Sequence, residues 1–327
     1  MRTTSLGPAV TAIGCGDVSL AVAADRGVDA REAERALDHA LSLGITLVEV
    51  RDEPDAERLA GNAVRTARAR DRVVVATNVS LVPPRPGVPR RDLLPELLPA
   101  RYVQERIEAS LRSTRLDALA LAQLPLRTIW RTSTAYAELV GTCARLVREG
   151  KVLAWGGRLD EPDVAFAEEP WLAALSVVFN LTDRGAEPLL AATKLPVLAR
   201  QPLAGGALTG NLGPGVKLPP RDDRNELAPA DLERIAVTAA RLTLEVRTEP
   251  PAARSCDAAR AVRERGRRPD HVEANTLAEL ALRFVIDRGA IPLPRLHRHA
   301  HVMDAIVAGS SPPLSPELLR RIVVDKP

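Results

Sequence analysis

Eight short runs of β-branched and aliphatic residues alternate along this chain with longer amphipathic segments, and that alternation limits the fold more than any other feature. The runs are Val10–Ile13, Ile45–Val50, Val73–Asn78, Ala118–Gln123, Val152–Gly156, Ser176–Phe179, Val197–Ala199 and Ala290–Pro292. Nearly continuous apolar runs are what strands buried on both faces look like, and such strands belong to parallel sheets covered by helices. The segments between them carry helical periodicity: Arg31–Ser42, Asp55–Ala69, Tyr102–Ser113, Thr134–Glu149, Pro162–Glu168, Glu187–Thr193, Asp231–Arg241 and Thr276–Asp287. Eight strand–helix units predict an α/β fold, a closed (β/α)8 TIM barrel, and 327 residues suffice for one. No GxGxxG follows the first run, so the fingerprint of the open dinucleotide-binding sheet is absent.

Two stretches break the repeat, at about 81–101, which is proline-rich, and at about 245–272, which is arginine-rich. They read as loop insertions on one barrel domain spanning 1–327. Lys and Arg number 45 against 42 Asp and Glu, interspersed, so no basic tract points to nucleic acid. Cys15, Cys143 and Cys256 lie far apart in no metal or disulfide spacing. Asp17 and Asp25 interrupt the N-terminal apolar run, and no apolar stretch reaches membrane-spanning length, so a cytoplasmic protein without membrane contact is expected.

In such barrels chemistry sits where strands end and βα loops begin. The second run carries Glu49, the third ends in Asn78 and the fourth in Gln123, so these three are expected to converge at one mouth. Glu49 reads either as an active-site acid or as a structural ion-pair partner of Arg51 or another loop arginine. Gln123 and Asn78 can hydrogen-bond a ligand but cannot exchange protons at neutral pH. The charged run Arg51 to Glu57 reads as a solvated loop entering a helix. His297, His299 and His301 alternate, yet no cysteine joins them, so no metal is expected; with Arg295 and Arg298 they form a candidate anion site. Arg254, Cys256 and Asp257 fall in the second insertion, where a loop could close over the mouth.

Several segments, in order, resemble the aldo/keto reductase family. Gly44-Ile45-Thr46-Leu47-Val48-Glu49 is similar to its Gly-Ile-Asn-Phe-hydrophobic-Asp segment, and Glu57 with Gly61 to the Glu-x-x-x-Gly that follows. Gly150-Lys151-Val152 with Gly156, Phe179-Asn180-Leu181, and the run from Pro202-Leu203-Ala204-Gly205-Gly206 to Gly210 are similar to later motifs, the last being the most specific. The resemblance implies a barrel reducing carbonyls with NADP(H). It also implies cofactor contacts at Asn180, Pro202, Leu203, Gly205, Gly206, Arg295 and Arg298, with Gly205 and Gly206 letting backbone approach a pyrophosphate.

The family's catalytic aspartate, tyrosine, lysine and histidine correspond here to Glu49, Pro54, Asn78 and Gln123. The stretch Ile45 to Asn78 has no tyrosine, and no lysine precedes Lys151. A carbonyl becoming an alkoxide needs an acid, which neither proline nor asparagine supplies. The family's Ser-Asn on the fifth strand becomes Arg158-Leu159, and the glutamine before its Tyr-Asn becomes Val177. Three readings follow. One is an NADP(H)-dependent oxidoreductase acting on a small carbonyl or alcohol, with Glu49 as substitute acid. Another is a non-redox dehydratase, epimerase or lyase, with arginines gripping an anionic small-molecule substrate. The third is a catalytically inactive pseudoenzyme that binds a ligand, or a protein partner through its insertions.

Overall fold

The computed structural model describes residues 3–5, 9–11, 13–19, 23–24, 27–67, 72–84, 87, 91–210, 228–246 and 273–323. Two short strands, β1 (Thr3–Ser5) and β2 (Ala9–Thr11), pair antiparallel. Thr11 exchanges hydrogen bonds with Thr46, just ahead of the second barrel strand, so this hairpin sits at the barrel's N-terminal end.

The barrel strands are β3 (Cys15–Val18), β4 (Leu47–Val50), β5 (Val74–Asn78), β6 (Leu121–Leu126), β7 (Trp155–Leu159), β8 (Ala174–Val178), β9 (Val197–Arg200) and β10 (Ile291–Pro292). All neighbours pair parallel in chain order. The ring closes between first and last strand, where Gly14 N–H donates to Pro292 O at 3.1 Å and Gly16 N–H to Pro294 O at 2.9 Å. A side chain at Gly16 would place its Cβ 2.3 Å from the Leu293 carbonyl oxygen, so only glycine permits this approach. The expected (β/α)8 barrel is therefore the observed one.

The helices packed outside the strands include α1 (Ala30–Ser42), α2 (Pro54–Thr66), α3 (Leu94–Leu97), α4 (Ala100–Thr114), α5 (Thr134–Arg148), α6 (Glu187–Ala192), α7 (Pro229–Thr243), α8 (Leu277–Asp287), α9 (His299–Ser310) and α10 (Pro316–Ile322). Several start on side-chain caps: Asp29, Ser133, Thr276 and Ser315 each accept from a backbone N–H three residues on. The expected helix over Pro162–Glu168 is a single 3₁₀ turn, Val164–Phe166, ended by the short path into β8. Val10–Ile13 falls at the hairpin rather than in the barrel, and β6 runs three residues beyond Gln123, to Leu126. Part of the first insertion forms α3, whose Leu94 and Leu97 are buried; residues 247–272 of the second, with Arg254, Cys256 and Asp257, lie outside the described residues.

Period-two alternation divides the strand residues between two environments. Leu47, Val74, Ala76, Leu121, Ala174, Leu198, Ile291 and Leu293 fill the lower barrel interior as one apolar cluster. Their alternate neighbours, among them Val75, Ala122, Leu175, Val177 and Ala199, face the helices.

Candidate active site

Continuing the inward parity toward the strand C-termini exchanges apolar residues for polar ones. β4 presents Glu49, β5 Asn78, β6 Gln123, β7 Arg158, β8 Ser176 and β9 Arg200. Three of these come from the sequence reading, and they meet. Gln123 Nε2 donates to Glu49 Oε1 at 3.0 Å and to Asn78 Oδ1 at 3.2 Å, while Asn78 Nδ2 donates to Val50 O at 3.0 Å. All three are buried, Gln123 completely, and strand pairing sets Asn78 beside Gln123. Gly156 lies next in register, and its bare Cα leaves room for the Gln123 side chain, whose Cγ would stand 3.1 Å from a Cβ there.

The other three were not legible as site residues. Leu159 and Val177 are fully buried in the outer cluster, so the residues turned inward are their neighbours Arg158 and Ser176. Val177, which replaces the family's glutamine in the sequence reading, therefore faces the helices and not the mouth. Arg200, at the tip of the otherwise apolar β9, is the inward neighbour-but-one of Leu198. Its Nη2 donates to Leu159 O at 2.8 Å and to Asp160 Oδ1 at 3.0 Å. Arg158 Nε reaches that same Asp160 oxygen at 4.0 Å. Burial first, then the neighbouring Arg158 charge, holds the Arg200 guanidinium below its ordinary pKa, against the pull of Asp160 and Glu49. The available signal was a charged residue at the C-terminal end of a barrel strand.

Three buried polar atoms on this inward surface have no hydrogen-bond partner among the described residues: Gln123 Oε1, Ser176 Oγ and Arg200 Nε. Each such group costs about 1–3 kcal/mol relative to a satisfied one.

Asn180 is 2% exposed and committed locally: Oδ1 accepts from Thr182 N–H, Thr182 Oγ1 and Asp183 N–H, and Nδ2 donates to Gln201 O. It ties the loop after β8 to the loop after β9. Pro202 and Leu203 lead from β9 into the 3₁₀ turn Ala204–Thr209, where Gly205 (φ 63°) and Gly206 (φ 93°) follow Ala204 in the left-handed region. Arg298 caps α9, approaches Glu32 at 3.9 Å and donates to Gly27 O at 3.5 Å, so it faces α1. Arg295 is half-buried between β10 and α9. His299 packs against His39 of α1 with ring centroids 4.4 Å apart and planes tilted by 31°, whereas His297 is buried ahead of the helix. No cluster of His, Cys, Asp and Glu able to hold a metal occurs among the described residues.

The loop after β4, expected to be solvated, is anchored instead. Asp52, whose side chain is 5% exposed, pairs with Arg106 of α4 and accepts from Ser80 N–H at 2.9 Å. Glu53 accepts from Ser19 Oγ at 2.7 Å. Glu57 is fully buried against Ser110, and desolvation raises its pKa. These carboxylates brace βα loops around the mouth, and Pro54, which starts α2, is exposed.

Comparison with known proteins agrees with this architecture. The family model described as aldo/keto reductase matches residues 12–323. Methylglyoxal reductase YeaE of Escherichia coli (strain K12) is 28% identical over 210 residues, 58% of this chain and 66% of that protein, just under two thirds of its length. Among solved structures, the glycerol dehydrogenase AKR11B4 from Gluconobacter oxydans superposes with a TM-score of 0.71 at 19% identity, covering 98% of this chain and 93% of that one. The holo form of aldo-keto reductase AKR11C1 from Bacillus halodurans gives 0.65 at 21%, covering 98% and 95%. An aldo/keto reductase from Klebsiella pneumoniae in complex with NADP and acetate gives 0.60 at 24%, covering 96% and 90%. The structural likeness speaks to the fold, and the match along nearly the whole sequence carries the lineage: this chain belongs to the aldo/keto reductase family.

Proposed function

We propose that this chain is an NADP(H)-dependent oxidoreductase acting on a small carbonyl or alcohol, with a non-standard active site built on Glu49, Gln123 and Asn78. The observation that carries the reading is the set of orphaned buried atoms at the mouth, Gln123 Oε1, Ser176 Oγ and Arg200 Nε. Buried polar groups are mostly satisfied, and three unsatisfied ones share this inward surface, where a ligand can complete them. The residues fit a nicotinamide cofactor, because Gln123 Oε1 and Ser176 Oγ can accept from a carboxamide NH2. The left-handed turn at Gly205 and Gly206, framed by Pro202 and Leu203, lets backbone come close to a pyrophosphate. Arg295 and Arg298 supply charge for a terminal phosphate, and Asn180 holds two loops of the rim in place.

When bound, the reduced cofactor supplies the hydride. Glu49 holds the proton that the substrate oxygen takes up as it becomes a hydroxyl, replacing the tyrosine used by the family. Gln123 Nε2, 3.0 Å from Glu49 Oε1, fixes the orientation of the carboxyl group, and Asn78 fixes Gln123 in turn. The relatives' names, a methylglyoxal reductase and a glycerol dehydrogenase, favour a small oxygenated substrate. We also place the protein in the reducing cytoplasm as one barrel domain. In support, Cys143 is a free, buried thiol, and no described helix is long and apolar enough to cross a membrane.

A second reading, a non-redox enzyme or a binding relative without turnover, is favoured by Gln123 and Asn78 being amides, which pass no proton. Calorimetric titration with NADPH and NADP+ separates the two. Affinity near the micromolar range, about −8 kcal/mol, is expected, and no binding at millimolar cofactor leaves only the second reading. Where turnover is found, Glu49→Gln is expected to lower it by about 10²–10⁴-fold.

A further inference from the structure

Arg158 and Arg200 stand on β7 and β9, one on either side of β8, and both turn into the barrel mouth. Their guanidinium groups converge on one oxygen, Asp160 Oδ1, at 4.0 and 3.0 Å. Asp160 is 71% exposed, and a carboxylate so open to water holds two cations weakly. Arg200, by contrast, is 10% exposed. Its Nη2 is committed to Leu159 O and Asp160, while Nε is buried and without a partner among the described residues. A guanidinium offers five N–H donors in a planar fork that fits a carboxylate through two parallel hydrogen bonds. Arg200 therefore keeps donor capacity at Nε, with a second cation beside it. Glu49 also draws on Arg200, and Asp160 is the one acid within ion-pair distance of either guanidinium group among the described residues.

We propose that Arg158 and Arg200 form a carboxylate-recognising subsite, so that the small carbonyl substrate carries an acid group. The word substrate rests on the oxidoreductase reading; the subsite itself does not. An anion at this place satisfies Arg200 Nε and relieves the repulsion between the two arginines. A neutral molecule does only the first, and the difference gives the site its selectivity.

The test is calorimetry on the full chain with acetate, pyruvate and 4-oxobutanoate, each against its own neutral amide, alongside NADPH. At least one carboxylate is expected to bind about tenfold or more tightly than its amide, the weight of charge-assisted hydrogen bonds. Arg200→Gln and Arg158→Gln are each expected to erase that preference. Arg158→Lys, which keeps the charge without the fork, is expected to retain part of it. The half-exposed Arg158 gives a variant that decides the matter even if Arg200→Gln does not fold. Equal affinity for every acid and amide, or a preference unchanged in the folded variants, overturns the subsite. Acid selectivity without NADPH binding keeps the subsite and removes the redox reading; NADPH binding without acid selectivity does the reverse.

Discussion

The lower and upper halves of the barrel interior are made by the same strands, one turn of the side-chain alternation apart, and their contents are opposite. Below, eight apolar side chains interlock, with Leu47, Ala76, Ala174 and Leu198 wholly buried. Above, the inward positions hold a carboxylate, two amides, a hydroxyl and two guanidinium groups, and three of their buried polar atoms lack partners among the described residues. The lower half is what a chain selected only for stability places inside a barrel. The upper half sacrifices stability, and that is the pattern of a surface shaped for something other than packing.

Substitutions in the two halves should thus differ in sign as well as size. Leu198→Ala opens a cavity in the lower half and is expected to cost about 2–5 kcal/mol, read from the denaturant midpoint; a loss well under 1 kcal/mol would remove the lower cluster as the stabilising half. Gly16→Ala drives a methyl group against the Leu293 backbone at the closing seam. It is expected to cost about 1–3 kcal/mol in thermal unfolding, and full tolerance would mean that the seam can part without loss. In the upper half Ser176→Ala removes an orphaned hydroxyl, so stability is expected to hold or rise by about 1 kcal/mol while NADPH affinity falls. A destabilised Ser176→Ala protein with unchanged affinity would make the hydroxyl structural and dissolve the contrast.

The smallest effect lies outside the barrel. Burial, and then the adjoining His299, lowers the His39 pKa below its ordinary 6.5. The folded chain therefore binds fewer protons at this site than the unfolded chain does. The contribution is intact above pH 6.5 and is lost as pH falls through 6.5 toward the folded value. Urea midpoints at pH 7.5 and 5.5 should differ less in His39→Gln than in the parent; an equal difference would show that the His39–His299 pair is not the source.

The barrel and the Glu49, Asn78 and Gln123 trio were legible in the sequence because they depend on local pattern: apolar runs of strand length, each with a polar residue near its C-terminal end. What was not legible depends on parity and register. Ser176 and Val177 are adjacent, and only the placement of Ala174 inside the barrel settles which one faces the mouth. Arg200 closes an apolar run, and its inward direction follows from Leu198 two residues before it. Val10–Ile13 and Cys15–Val18 are both apolar enough for a first strand, but the glycines flanking Cys15 permit the closure that Val10–Ile13 cannot make. Helix α9 was hidden by its histidines, since His299 and His301 alternate as on a strand while Val302, Ala305 and Ala308 pack at helical spacing.

The closing seam has a consequence in time. β3 is the first barrel strand to leave the ribosome and β10 the last, so the hydrogen bonds from Gly14 and Gly16 to Pro292 and Pro294 form only after nearly the whole barrel has been synthesised. Until then the ring stands open along one edge of β3, and its apolar interior faces water or a chaperone. Contacts so distant in sequence are slow to find one another, so the two glycines set the moment at which the nascent chain stops being prone to aggregate.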